Sequence, residues 1–311
     1  MKRLLSTRRS RLLAAVSLAM VVLPPTKAES HCPGSVASVT SRLVQNALIV
    51  IPVKVNQAGP FDFMVDTGSQ VTVIDPSLAA ELSLKSQGRV SLVSVSSVAQ
   101  ASATVLDTLE AGFKMLEKSP AIVQDLRALQ AADPRIRGVL GESFLAHFDL
   151  FIDYGHKLLC LEETRAMRDS VRGERISFVP PQHPEDELPF MERMVIAVHL
   201  SGAGTRRILL QVDSGSDAPI LYAGTEEKGF LLLERAMPRD GNLTEAQKAF
   251  AALPPQDLLI GKRSMSHIAF VTPMSVEKNM PRRDEDGLLP TVLFRRVFIS
   301  NAEHYIVLDP R

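Results

Sequence analysis

Two carboxylic acids stand out because each sits in the same short context. Asp66 opens the run Asp66-Thr67-Gly68-Ser69, and Asp213 opens Asp213-Ser214-Gly215-Ser216. A carboxylate can take a proton from water, while a protonated carboxyl can donate one to a carbonyl oxygen. Two carboxyls in contact supply both functions. Like charges that close cannot both ionise, so the pair would share one proton and titrate as a unit, with no fixed division into acid and base. The next residues suit that task. Gly68 and Gly215 let the backbone turn tightly beneath each carboxyl. Thr67 and Ser214 bring hydroxyls, and Ser69 and Ser216 are expected to donate to the neighbouring Asp and favour its ionised form. One Asp-Thr-Gly alone is an ordinary turn tripeptide. Two copies carry weight only if the chain around them also repeats.

It does. Val50–Val55, a short loop and Phe61–Asp66 form one apolar-rich hairpin pattern. Val195–Leu200, a glycine-containing loop and Ile208–Asp213 form another. Each reads as two β-strands, the second ending in the Asp tetrad. Gly138-Val139-Leu140-Gly141 follows the first tetrad and Gly287-Leu288-Leu289-Pro290 follows the second at nearly the same spacing. A β-rich stretch comes after each, Phe148–Leu161 and Val297–Leu308. The chain is thus expected to be all-β with short helices, built as two homologous lobes. Residues 29–165 form the first lobe in this reading and 191–311 the second. The charged, then proline-rich segment 166–190 links them. Helices are expected after Asp75-Pro76, after Asp125, and from Asn242 to about Leu253, where Asn242 and Glu245 make a capping-box pattern.

Phe63-Met64-Val65-Asp66-Thr67-Gly68-Ser69 with Thr72-Val73-Ile74-Asp75 resembles the active-site loop of retropepsin-like and pepsin-like aspartic peptidases. Gly138–Gly141 with Phe144-Leu145 is similar to the later apolar element of the same family. The likeness is strong over residues 45–161 and weaker over 193–222 and 287–310. It implies a bilobal acid-protease fold with two barrel-like lobes, a cleft between them and one catalytic Asp from each. In this family the Thr67 and Ser214 hydroxyls would hydrogen-bond across to the opposite loop and hold the two carboxyls coplanar. Aspartic peptidases are the standard case of two carboxyls sharing one proton. The implied activity is hydrolysis of peptide bonds in a peptide or protein substrate, with no metal or cofactor. A single chain carrying both motifs implies a monomer.

Two departures count against a simple transfer. Pro290 stands where the first lobe has Gly141, and proline lacks an amide donor. The hairpin that should close over substrate is best placed at Val95–Thr104, centred on Val98, Ala99 and Gln100, yet it has neither glycine nor tyrosine. These keep a second reading open, a catalytically silent peptide- or ligand-binding protein on the same scaffold. A third, glycoside hydrolysis by the same carboxyls, needs a wider gap between them.

The N-terminus reads as an export signal. Lys2, Arg3, Arg8, Arg9 and Arg11 precede the apolar run Leu12–Leu23, and Thr26-Lys27-Ala28 offers small residues for cleavage after Ala28. A retained membrane anchor is the competing interpretation. Without residues 1–28 the chain keeps 29 basic and 35 acidic side chains, a net charge of −6. That gives no footprint for nucleic acid. After export to a periplasmic or extracellular space, Cys32 and Cys160 could pair or remain free thiols. Asp153–Lys157 reads as a hairpin turn and Arg282–Asp286 as a solvated loop. No glycine-rich phosphate loop or serine-nucleophile motif is present.

Overall fold

The computed structural model describes residues 31–181, 193–204, 206–222, 237–238 and 248–310. The expected signal segment, the first half of the Asn242 helix and part of the linker lie outside these residues. The described chain is mainly β, with four α-helices of six residues or fewer. Apolar, β-branched runs account for this. Leu48–Val55 buries six of its eight residues, and only Pro52 and Lys54 face outward.

Three sheets organise the molecule. The first has eight strands and contains Asp66's hairpin, Leu48–Val55 with Ala58–Val65. A further pairing of Leu48–Val55 with the long strand Val98–Ala111 curls it toward a barrel. The second has nine strands and contains Asp213's hairpin, Val195–Leu200 with Arg207–Asp213. The third has six strands and joins the two halves, because Asp149–Asp153 pairs antiparallel with Arg296–Ser300.

The elements that repeat in sequence are neighbours in space. Ala58–Val65 runs parallel to Ile136–Leu140, with Val65 opposite Leu140. Arg207–Asp213 runs parallel to Gly287–Pro290, with Asp213 opposite Pro290. A short strand lies antiparallel on the far side of each, Thr72–Ile74 in one half and Ile220–Leu221 in the other. Each Asp therefore leaves a sheet where the chain turns between two fixed neighbours.

Helix Pro76–Glu81 starts as expected, with the Asp75 carboxylate accepting the Ser77 N–H at 2.9 Å. Asp125 similarly accepts the Arg127 N–H ahead of Arg127–Gln130. The expected helix from Asn242 does not continue to Leu253: it is helical at Lys248 and ends there. Phe250–Ala252 is a strand paired with Val271–Pro273, and that tertiary pairing overrides local helix preference. The middle of the second half, where described, continues as strands to Pro273.

Cys32 and Cys160 form a disulfide across a Cα separation of 5.9 Å. It ties the start of the described chain to strand Leu158–Glu162. The segment Arg282–Asp286 is not a solvated loop throughout. Glu285 and Asp286 are buried, pairing with Arg193 at 2.6 Å and Arg206 at 2.8 Å. Burying a carboxylate requires such a partner. No helix among the described residues is long and apolar enough to cross a membrane.

Candidate active site

The two Asp loops face and interlock. The Thr67 N–H donates to Ser214 Oγ at 3.1 Å, and the Ser214 N–H donates to Thr67 Oγ1 at 3.0 Å. Each hydroxyl then donates onward to the opposite strand, Thr67 to Val212 O at 3.1 Å and Ser214 to Val65 O at 2.9 Å. Thr67 and Ser214 are fully buried, so these four bonds compete with no water. Gln211 adds a fifth link, its Nε2 donating to Gly68 O at 3.2 Å.

This lock brings the carboxyls together. Asp66 and Asp213 hydrogen-bond to each other through their side chains. Each is also cradled by its own loop. Asp66 Oδ1 accepts the Gly68 N–H at 2.8 Å, and Asp213 Oδ1 accepts the Gly215 N–H at 2.7 Å. The glycines are needed for clearance as well as for the turn. A β-carbon on Gly68 would lie 2.6 Å from Asp213 Cγ, and one on Gly215 would lie 2.4 Å from Asp66 Cγ. No side chain fits between the loops.

Burial raises both carboxyls above the ordinary Asp value. Asp213, 6% exposed, is pushed up furthest, by desolvation first and then by the charge of Asp66. Asp66 is half-buried, and its upward push from desolvation is opposed by the hydrogen bond from Asp213. Both shifts act in the direction that favours keeping a proton on the pair.

Residues 51–144 match the family model described as aspartyl protease. The match supports an aspartic peptidase family for that segment. It contains Asp66 and the Gly138–Gly141 element, while Asp213 lies beyond it, in the half that repeats the pattern. No curated protein matches the chain.

Ser69 and Ser216 donate to their neighbouring Asp residues as expected, but through the backbone. The Ser69 and Ser216 hydroxyls do not bond to the carboxyls. They turn to backbone carbonyls two residues on, Val71 O at 2.9 Å and Ala218 O at 2.7 Å. It is the backbone N–H groups of Ser69 and Ser216 that approach Asp66 and Asp213. The tip of the covering hairpin is also displaced from its expected place. Gly88–Val93 and Val98–Ala111 form its strands, and Ser94–Ser97 is the turn. Val98, Ala99 and Gln100 lie in the second strand, opposite Val93, Leu92 and Ser91. Pattern reading misses this because Val93 to Val98 is apolar at both ends and its serines give no strong turn signal.

Two residues beside the Asp pair were not singled out in the sequence. Glu142, directly after Gly141, is 3% exposed, and neither of its carboxyl oxygens has a hydrogen-bond partner. Desolvation, and then the charge of Asp66, pushes it well above the usual carboxylate range. Its signal was one charged residue inside the apolar run Gly138–Leu145. Tyr154 belongs to the hairpin turn Asp153–Lys157, yet its hydroxyl bonds to Thr291 Oγ1 at 2.5 Å. Burial raises its pKa first, and the charge of Asp213 contributes. Among the described residues, no group of three or more His, Cys, Asp or Glu converges as a metal site.

Proposed function

We propose that this protein is an aspartic endopeptidase, hydrolysing peptide bonds with water activated between Asp66 and Asp213. The observation that carries the reading is the hydrogen-bonded contact of the two carboxyls across the interlocked loops. In that arrangement the ionised member takes a proton from water as it attacks the amide carbon. The protonated member donates to the carbonyl oxygen, giving a gem-diol; the proton taken from water then passes to the leaving nitrogen as the C–N bond breaks, and a diol hydroxyl returns its proton to the other carboxyl. The substrate would lie in the cleft as an extended strand. Carboxyls in direct contact do not match the spacing of about 5 Å or more that glycoside hydrolysis uses.

Export to a periplasmic or extracellular space is part of the proposal. The N-terminal charge pattern and the Cys32–Cys160 disulfide support it, since such bonds persist in oxidising compartments. So is action as a monomer, because one chain supplies both carboxyls. The proposed lobes are residues 29–165 and 191–311.

A peptide-library digest between pH 3 and 7, with and without a statine-type inhibitor, tests the activity. Cleavage should be inhibitor-sensitive, and Asp66→Asn or Asp213→Asn should each lower it by about 10³-fold or more while the protein stays folded. Ligand binding without cleavage at any pH would move the assignment to a silent binding protein.

A further inference from the structure

The tip of the hairpin formed by Gly88–Val93 and Val98–Ala111 is held by residues from the second half of the chain. Glu277 takes up two backbone groups beside its tip: its N–H donates to Ser96 O at 3.0 Å, and its Oε2 accepts the Val98 N–H at 3.1 Å. The Arg283 guanidinium donates to Ser94 O and lies over the Tyr222 ring, 4.1 Å from its centre. Between these grips, Val95 packs against Ile220, Tyr222, Val271 and Leu288. Leu288 sits opposite Gln211 on the strand beside the one that carries Asp213. The tip is therefore fastened onto the sheet that presents Asp213, after rising from the sheet that presents Asp66.

We propose that Glu277 and Arg283 clasp this tip and thereby select substrates, admitting a single extended segment to the carboxyl pair and refusing wider chains. The inference rests on the peptidase reading above. Ser96 O and Val98 N–H are the kind of backbone groups with which a hairpin binds an incoming strand, and Glu277 already occupies both. A substrate must displace Glu277 to gain them. Glu277 is exposed and Arg283 half-buried, so the clasp consists of surface contacts that open without unfolding anything beneath. A linear peptide needs only a brief release. A looped or folded chain needs the tip lifted for as long as it is bound.

The test uses the full chain carrying Glu277→Ala and Arg283→Ala together. Amide hydrogen exchange at Val98 should accelerate at least about tenfold. A linear peptide found in the library digest is then compared with the same sequence cyclised end to end. The ratio of kcat/KM for cyclic over linear peptide should rise by about tenfold or more in the double variant. Glu277→Gln keeps an acceptor oxygen and the backbone donor, and should stay near the parent in both measurements. Unchanged exchange at Val98 would overturn the clasp. Faster exchange with an unchanged cyclic-to-linear ratio would overturn its role in selection. If exchange accelerates while neither parent nor variant cleaves any peptide, the clasp stands and the peptidase reading fails.

Discussion

The two halves build the same Asp loop on different supports. In the first, Thr72 is the hub. Its Oγ1 accepts the Gly141 N–H at 3.3 Å and the Ser143 hydroxyl at 3.0 Å, and its N–H donates to Ser143 Oγ at 2.9 Å. Counting from each Asp, Pro219 stands in place of Thr72; with the later strands matched by register, Val65 opposite Leu140 and Val212 opposite Leu289, Pro290 stands in place of Gly141 and Val292 in place of Ser143. Every donor and acceptor of the trio has gone at once. Removing one partner of a buried hydrogen bond leaves the other unsatisfied, whereas removing all of them together can be nearly neutral. Pro290, which looks in the sequence like damage to the second loop, is one part of a matched exchange. Above it the loop is intact: Asp213 keeps its Gly215 N–H bond, and Ser214 keeps all three of its cross-loop bonds.

The halves also differ in how their edges are fixed, and the largest predicted stability effect lies there. The joint six-stranded sheet ends on one side at Ser38–Thr40 and on the other at Ile176–Ser177. The first edge is stapled by a disulfide between residues 128 apart, and the second is held by two residue pairs. Replacing Cys32 and Cys160 by serine should cost about 2–5 kcal/mol in urea unfolding, the range for loss of a native disulfide. An unchanged midpoint would show that the edge strand needs no staple and that the two edges are equivalent.

The supporting trio gives the next test. Thr72→Val should destabilise by about 1–3 kcal/mol, because the Gly141 N–H and the Ser143 hydroxyl lose their acceptor inside the protein. Adding Ser143→Val should recover part of that loss, since it moves the first half toward the second half's solution. Pro290→Gly should cost about 1 kcal/mol or less, through added freedom of the unfolded chain, and should not raise kcat/KM. A clear gain in activity would mean that Pro290 impairs the loop and that the exchange is not compensated.

Much of this was legible in the sequence because it rests on local pattern. Apolar alternation gave the two hairpins, and repeated spacing paired each Asp with its later apolar element. Asp75-Pro76 marked a helix start through side-chain chemistry confined to a few residues. What could not be read depends on distant partners. Phe250–Ala252 is a strand only because Val271–Pro273 lies beside it. Glu285 and Asp286 look like solvated charges until Arg193 and Arg206 are placed against them. The hydroxyls of Ser69 and Ser216 had two acceptors within reach, a carboxyl and a carbonyl, and only the folded loop shows which one each takes.

The smallest effect concerns Glu142 and Thr291, which follow Gly141 and Pro290 and so occupy matching positions. Thr291 is satisfied by the Tyr154 hydroxyl, while the Glu142 carboxyl is buried without a partner. Because burial and the charge of Asp66 raise its pKa, the folded protein keeps a proton that the unfolded chain releases above about pH 4.3. The unfolded state then binds fewer protons, so this group makes stability fall as pH rises from that value toward the raised one. Glu142→Met removes both the titration and the unpaired oxygens at similar volume. Its Tm should exceed the parent's by a margin that widens between pH 4 and pH 7, at roughly 2–4 °C for each kcal/mol gained. Thr291→Val should show no such pH dependence, since no charge changes there. A margin for Glu142→Met that stays flat across the same range would mean the carboxyl is not held protonated by the fold, and the electrostatic difference between the two halves would disappear.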